Sequence, residues 1–169
     1  MNVKNLDERR RLEAYAVIYF IRELRRRYRR WLILRDFASP PGPDFYCLLN
    51  GERIGIEVAH LYGSQRDARM RLGRERVEEQ TKEQRLAHSR VPLNVRVLTD
   101  LNRIIADKAE KSYGGKTWLL IRNAFPPWTR DDFEQYISEI LIPEDHSFSE
   151  IWLLCDAYGS SGILRLFPR

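Results

Sequence analysis

The sequence predicts an α/β protein in which a mixed central sheet is flanked by helices. Three observations predict it. Apolar residues recur at i, i+3 and i+4 in separate segments. Short runs rich in aromatic and branched residues lie between them. Two of these runs are separated by Asn50-Gly51 alone, the strongest short hairpin signal, a two-residue type I′ turn. The order is helix, three strands, two helices, strand, helix, two strands. A length of 169 residues suits a single domain, 1–169, with one core.

Residues 7–30 read as a long helix on the spacing of Leu12, Tyr15, Ala16, Tyr19 and Phe20. Residues 31–37 read as a strand, and Ser39-Pro40-Pro41-Gly42-Pro43 breaks regular structure. Residues 44–49 and 52–60 are the two hairpin strands. Residues 65–88 form helix but are polar, with few apolar positions, so they predict an exposed helical arm. Residues 95–112 form a more amphipathic helix ending near Gly114-Gly115. A strand at 116–122 follows. A helix at 129–141 is capped by Thr129, with Asp131 and Asp132 in its first turn. Residues 150–156 and 163–167 are the last two strands.

Hydrophobic residues make up 43% of the chain and charged residues 31%, which places it among globular rather than disordered chains. No apolar run has the length of a membrane span, and Met1 to Arg11 lack the apolar stretch of a secretion signal. Cys47 and Cys155 sit in apolar strand-like runs and read as buried free thiols. A cytoplasmic location follows from these features. The formal charge is +5 and favours a polyanionic partner. Arg22, Arg25, Arg26, Arg27, Arg29 and Arg30 crowd one segment, and Arg66, Arg69, Arg71, Arg74 and Arg76 another. The arginine fork suits phosphate; the alternative is a solvated helix face.

The two-residue turn fixes the hairpin register. Leu49 then faces Glu52, Tyr46 faces Gly55, and Asp44 falls opposite Glu57. One face carries Phe45, Cys47, Leu49, Ile54, Ile56 and Val58, and is expected to be packed. The other carries Asp44 and Glu57, with Cβ atoms roughly 4.5–5.5 Å apart in a direct pair. Like charges so placed call for a compensating charge, and a hard divalent cation is a natural one. The alternative is a pair of solvated surface acids.

Pro43-Asp44, a hairpin, then Gly55-Ile56-Glu57-Val58 resembles the metal-binding core of the PD-(D/E)XK nuclease superfamily. That resemblance implies a restriction-endonuclease-like core of helix, three strands, helix and strand over about residues 7–122, with a C-terminal extension. It implies Mg2+ or Mn2+ held by Asp44, Glu57 and the Val58 carbonyl, and a hydrolase that cleaves phosphodiesters in DNA, or RNA as the second choice. The family lysine, two residues after the glutamate, is Ala59 here. His60 on a regular strand points away from Glu57. Lys108 continues the stripe of Val97, Leu101, Ile104 and Ile105, and is the expected replacement, with Lys111 and Lys82 behind it. A lysine at such a position either pairs with an anion or snorkels to water. Glu13 reads as a surface residue, although the first helix of this fold sometimes contributes an acid.

The phosphate grip is expected from Arg22, Arg25, Arg26, Arg29, Arg66, Arg69 and Arg74, without base preference. Gly114-Gly115-Lys116-Thr117 lacks P-loop spacing, and His60, His88 and His146 match no zinc spacing. Two other readings stand beside the nuclease: an inactive module of the same fold that binds nucleic acid or a partner protein, and an interaction protein dimerising through the arm at 65–88.

Overall fold

The computed structural model describes residues 7–39, 41–62 and 91–169. The arm expected at 65–88 lies outside the described residues, as do Lys82, Arg66, Arg69, Arg71, Arg74 and Arg76.

The first helix, α1, spans Glu8–Tyr28. It starts where the Asp7 carboxylate accepts the Arg10 N–H at 2.8 Å. It ends at Arg29, whose φ of 55° leaves the helical region. Strand β1 (Leu32–Phe37), β2 (Phe45–Leu49) and β3 (Glu52–Leu61) follow. Then come α2 (Leu93–Ala109), β4 (Thr117–Asn123), α3 (Arg130–Gln135), β5 (Phe148–Leu154) and β6 (Ile163–Phe167). The six strands lie in sequence order in one sheet. The β3–β4 and β4–β5 pairs are parallel and the other three antiparallel. The chain is thus an α/β protein with a mixed sheet flanked by helices. Among the described residues no helix is long and apolar enough to cross a membrane.

The hairpin has the register that a two-residue turn dictates. Asn50 and Gly51 take φ of 51° and 87°, as a type I′ turn requires, and the ladder runs from Leu49↔Glu52 to Phe45↔Ile56. Phe45, Cys47, Leu49, Ile54, Ile56 and Val58 pack with α1 on one face of the sheet. Ala59 and Leu61 face α2 and α3 on the other. Each face therefore has its own apolar cluster, and β3 contributes to both.

Three expectations are corrected. In α1, Tyr15 is exposed, and the buried stripe is Glu13, Ala14, Ala16, Val17, Phe20, Glu23 and Leu24, two glutamates included. The helix expected at 129–141 stops at Gln135 and continues only as a short 3-10 turn, Ile137–Glu139. Its end is held by distant side chains: Asn102 Nδ2 donates to the Glu139 carbonyl at 3.0 Å, and Arg169 to those of Ile137 and Ile140 at 3.0 and 2.7 Å. These partners replace the carbonyl acceptors' helical bonds. Strand β5 begins at Phe148 and ends at Leu154; the Asp156 carboxylate then turns the chain by accepting the N–H groups of Tyr158, Ser160 and Ser161.

Candidate functional site

Strand β3 outruns its neighbour. The β2–β3 ladder ends at Phe45↔Ile56, yet β3 continues to Leu61, paired on its other side with β4 as far as Asn123. Past Ile56, no strand among the described residues pairs with the β2 side of β3, which is an open edge in that sense. Pro43 and Asp44 sit where that edge begins. Gly55 lets them approach, since a Cβ there would stand 2.8 Å from Pro43 Cγ and 2.8 Å from Thr117 Oγ1. The Asp44 N–H donates to the Ile56 carbonyl at 3.0 Å, and the Asp44 Oδ2 accepts the Val58 N–H at 2.8 Å.

Asp44 therefore does not form the last rung of the ladder opposite Glu57, as the register alone suggests. Its carboxylate substitutes for a strand carbonyl and caps Val58 instead. A strand residue's N–H and C=O leave by the same edge, so the Val58 carbonyl also faces this opening.

Glu57 lies on the α2 face of β3 and is 7% exposed. Lys108, one turn beyond Ile104 on α2, donates from Nζ to Glu57 Oε1. Its side chain is only 18% exposed, so the amine is spent on the carboxylate and does not snorkel to water. Lys111 lies beyond the end of α2 and is exposed. Burial and the charge of Asp44 raise the pKa of Glu57, against the opposing pull of Lys108 and Tyr113. The buried Tyr113 hydroxyl makes no hydrogen bond of regular geometry among the described residues. Burial and Glu57 hold its pKa above the ordinary value.

Glu13 is not a surface residue. It is 2% exposed and approaches the site from the α1 side. Arg9 Nε donates to its Oε1 at 2.7 Å, while Oε2 has no hydrogen-bond partner among the described residues. Burial and then Asp44 raise its pKa. His60 lies on the α1 face, opposite Glu57. Burial, with Arg122, Arg9 and Lys108 nearby, pushes its pKa down to about 3, so its ring is neutral. Cys47 and Cys155 are buried free thiols pushed up to about 12 by burial, which removes them as nucleophiles.

The arginine cluster lies elsewhere. Glu13 and Arg26 are 13 residues apart on α1, roughly 20 Å along the helix axis. Much of the cluster is already engaged. Glu23, 3% exposed, accepts from Arg22 at 3.3 Å, Arg26 at 2.7 Å and Arg27 at 3.1 Å. Arg30 bonds both oxygens of Glu150 at 2.7 and 2.8 Å. Arg25 stacks 3.6 Å over the Trp31 ring. Arg29 is exposed.

Among the described residues, no group of three or more His, Cys, Asp or Glu side chains gathers closely enough to hold a metal ion. The donors at the open edge are Asp44, Glu57 and the Val58 carbonyl. All are oxygens, the set a hard cation prefers, and the Asp44 charge already raises the proton affinity of Glu57. The donor chemistry fits such a cation, and Lys108 meets part of the same need. Compared with known protein families, curated proteins and solved structures, the chain shows no significant match.

The two raised glutamates set a pH dependence. Their folded pKa exceeds the unfolded value of about 4.3, so the native state binds more protons above that pH. Their contribution to stability is full below about pH 4.3 and is lost as pH rises through the folded pKa. Glu13→Gln, which mimics the neutral acid, should therefore gain in melting temperature relative to wild type as pH is raised from 4.5 to 7. A difference independent of pH would show that Glu13 titrates normally.

Proposed function

We propose that this protein is a metal-dependent nuclease of the PD-(D/E)XK type, with a restriction-endonuclease-like core, cleaving phosphodiesters in DNA. The observation that carries the reading is the ion pair between Lys108 and Glu57 beside Asp44. A half-buried lysine from α2 reaches the very carboxylate whose sequence neighbour, Ala59, lacks the family amine. The element order α1, β1–β3, α2, β4 supports the same core.

In this reading Asp44, Glu57 and the Val58 carbonyl hold Mg2+ or Mn2+. The bound ion would lower the pKa of a water and stabilise charge on the phosphate. The ammonium of Lys108 holds positive charge beside Glu57, from where it would orient an attacking water. Arg25 and the other arginines of the last turns of α1, with Arg29 and Arg30 just past its end, offer phosphate contacts away from the site, to the extent that Glu23 and Glu150 release them. One observation favours a second reading. Lys108 already satisfies Glu57 without any cation, which suits an inactive module that keeps the fold and binds nucleic acid or a partner protein.

Two measurements separate these. Mg2+ or Mn2+ should support cleavage of DNA, and chelation or Glu57→Gln should abolish it. A cation at 100 times its dissociation constant stabilises the native state by about 2.7 kcal/mol. For a chain of this size, at roughly 2–4 °C per kcal/mol, the melting temperature should rise by several degrees in wild type and not in Glu57→Ala. Absence of both effects in wild type would overturn the nuclease reading and leave the binding module.

A further inference from the structure

Between α1 and α2, beside the end of β3, lies a cavity of about 310 Å3. Val58 and Lys108 line it and belong also to the carboxylate site, so a strand held at that site borders this cavity. Three cations stand in its walls: Arg9 from α1, and Arg103 and Lys108 from α2.

Two of the three are committed. Lys108, its side chain 18% exposed, is on Glu57. Arg103 has one Nη on Asp107 at 2.8 Å and the other on Asp100 at 2.6 Å. Arg9 differs. Its side chain makes one hydrogen bond among the described residues, from Nε to Glu13 Oε1 at 2.7 Å, and is 64% exposed. Both Nη groups are left as donors at the mouth of the cavity.

The anchor is unusual. Glu13 lies one turn along α1 with its side chain 3% exposed, a depth at which a carboxylate is costly to bury. What it does there is hold a guanidinium by the nitrogen nearest the stem. With Nε fixed, the plane of the group is set and the Nη pair points away from Glu13. Such a fork matches a phosphate bidentately. The neighbouring Arg10 ties the same turn to the site, donating to the Asp44 carbonyl at 3.3 Å and to that of Ala38 at 3.4 Å. The bond to Glu13, then the charges of Glu13, Asp44 and Glu57, raise the pKa of Arg9, which places the guanidinium within electrostatic reach of the carboxylate pair.

We propose that Arg9 is a substrate-binding residue of this site, donating its Nη pair to a backbone phosphate next to the one that is cut, and that Glu13 is its positioning residue. The proposal rests on the nuclease reading above and adds the residue that seats the strand. A contact of this kind carries no sequence information.

The test uses the full chain and a labelled DNA duplex, first in chelator, where binding is read without cleavage, then in Mg2+. Arg9→Gln should flatten the log–log salt slope by about 0.9, the loss of one neutralised phosphate. It should lower kcat/KM by roughly tenfold or more, as for one charge-assisted contact removed. Arg9→Lys should restore the slope, because the charge is kept, and not kcat/KM, because the ammonium lacks the fork. Glu13→Met keeps the charge of Arg9 and removes its anchor, so the slope should match wild type while kcat/KM falls. One uncharged methylphosphonate beside the cut should weaken binding to wild type and make no difference to Arg9→Gln, since the two changes remove the same contact. If Glu13→Met does not fold, Arg9→Lys and the methylphosphonate series decide. Folded Arg9 and Glu13 variants with lowered melting temperatures but wild-type slope and kcat/KM overturn the proposal, leave a structural ion pair, and leave the nuclease reading standing. Binding of inorganic phosphate that depends on Arg9, with the strand slope unchanged, overturns it in favour of a small-anion site. Wild type that binds DNA but is inert in Mg2+ overturns the nuclease reading, and the slope of Arg9→Gln still decides the phosphate contact. Failure of wild type to bind DNA at low salt overturns both.

Discussion

On the proposed nuclease function, Lys108→Met should lower cleavage by roughly 10²–10⁴-fold, the range for a positioned proton-transfer or charge-stabilising group, with nucleic-acid affinity changed by less than about threefold. Phosphate contacts set affinity, and Lys108 is held on a carboxylate rather than presented to solvent. The loss should fall equally on kcat and kcat/KM, as for an interaction made only in the transition state. A structural cost accompanies it. Glu57 would stay buried without its cation, which costs about 3–5 kcal/mol if the carboxylate remains charged. Protonation relieves that cost, because burial and Asp44 already raise the Glu57 pKa. The variant should therefore lose less stability at pH 5 than at pH 7. Assays of folded variant, with its melting temperature checked, separate the two effects. A folded Lys108→Met protein with wild-type activity would remove Lys108 from the chemistry.

The parts of this site that the sequence disclosed are those set by local geometry. Asn50-Gly51 admits one tight turn, so the register from Leu49↔Glu52 to Phe45↔Ile56 follows from two residues. Lys108 is legible because helical spacing carries the stripe of Ile104 one turn further, to the sheet. What stayed hidden depends on distant partners. Glu13 falls on the same helical stripe as Ala16, Val17 and Phe20, and Glu23 on the same stripe as Phe20 and Leu24. The spacing was the available signal. A glutamate is read as exposed by default, because burial is costly without a partner. The partners are Arg9 for Glu13, and Arg22, Arg26 and Arg27 for Glu23. The arginine run reads as a phosphate surface for the same reason, because its internal acceptor, Glu23, shows only in the fold. The short α3 is a third case: Asn102 and Arg169 terminate it from 35 and more residues away in one case and about 30 in the other. Asp44 shows the limit of register itself. The ladder leads to Glu57, but a carboxylate can cap a neighbouring N–H, and it takes Val58 instead.

Glu23→Gln should destabilise the protein and, on the proposed nucleic-acid-binding function, strengthen its affinity for nucleic acid. The Glu23 carboxylate accepts four hydrogen bonds: one from Arg22 at 3.3 Å, two from Arg26 at 3.0 and 2.7 Å, and one from Arg27 at 3.1 Å. Burial alone would raise its pKa, but the hydrogen bonds from Arg26 and Arg27 outweigh burial and hold it below the usual carboxylate range. An amide keeps one acceptor and turns N–H donors on the guanidinium groups. Three of the four bonds converge on Oε2, so an expected loss of about 2–3 kcal/mol follows from the charge-assisted bonds removed. At roughly 2–4 °C per kcal/mol, the melting temperature should fall by about 5–10 °C at pH 7. Because the folded pKa of Glu23 is depressed, its contribution is present above the unfolded value of about 4.3 and is lost as pH falls through the folded pKa. The deficit of the variant should therefore shrink in acid. Function moves the other way. Arg22 and Arg26, with side chains 54% and 58% exposed, lose their internal anion and become available to phosphate. Each additional phosphate neutralised should steepen the log–log salt slope by about 0.9 on duplex or about 0.7 on a single strand. Affinity at low salt should rise accordingly, by an amount read from the same titration. A less stable variant whose salt slope equals that of wild type would assign these arginines to the fold alone and remove them from the proposed nucleic-acid surface.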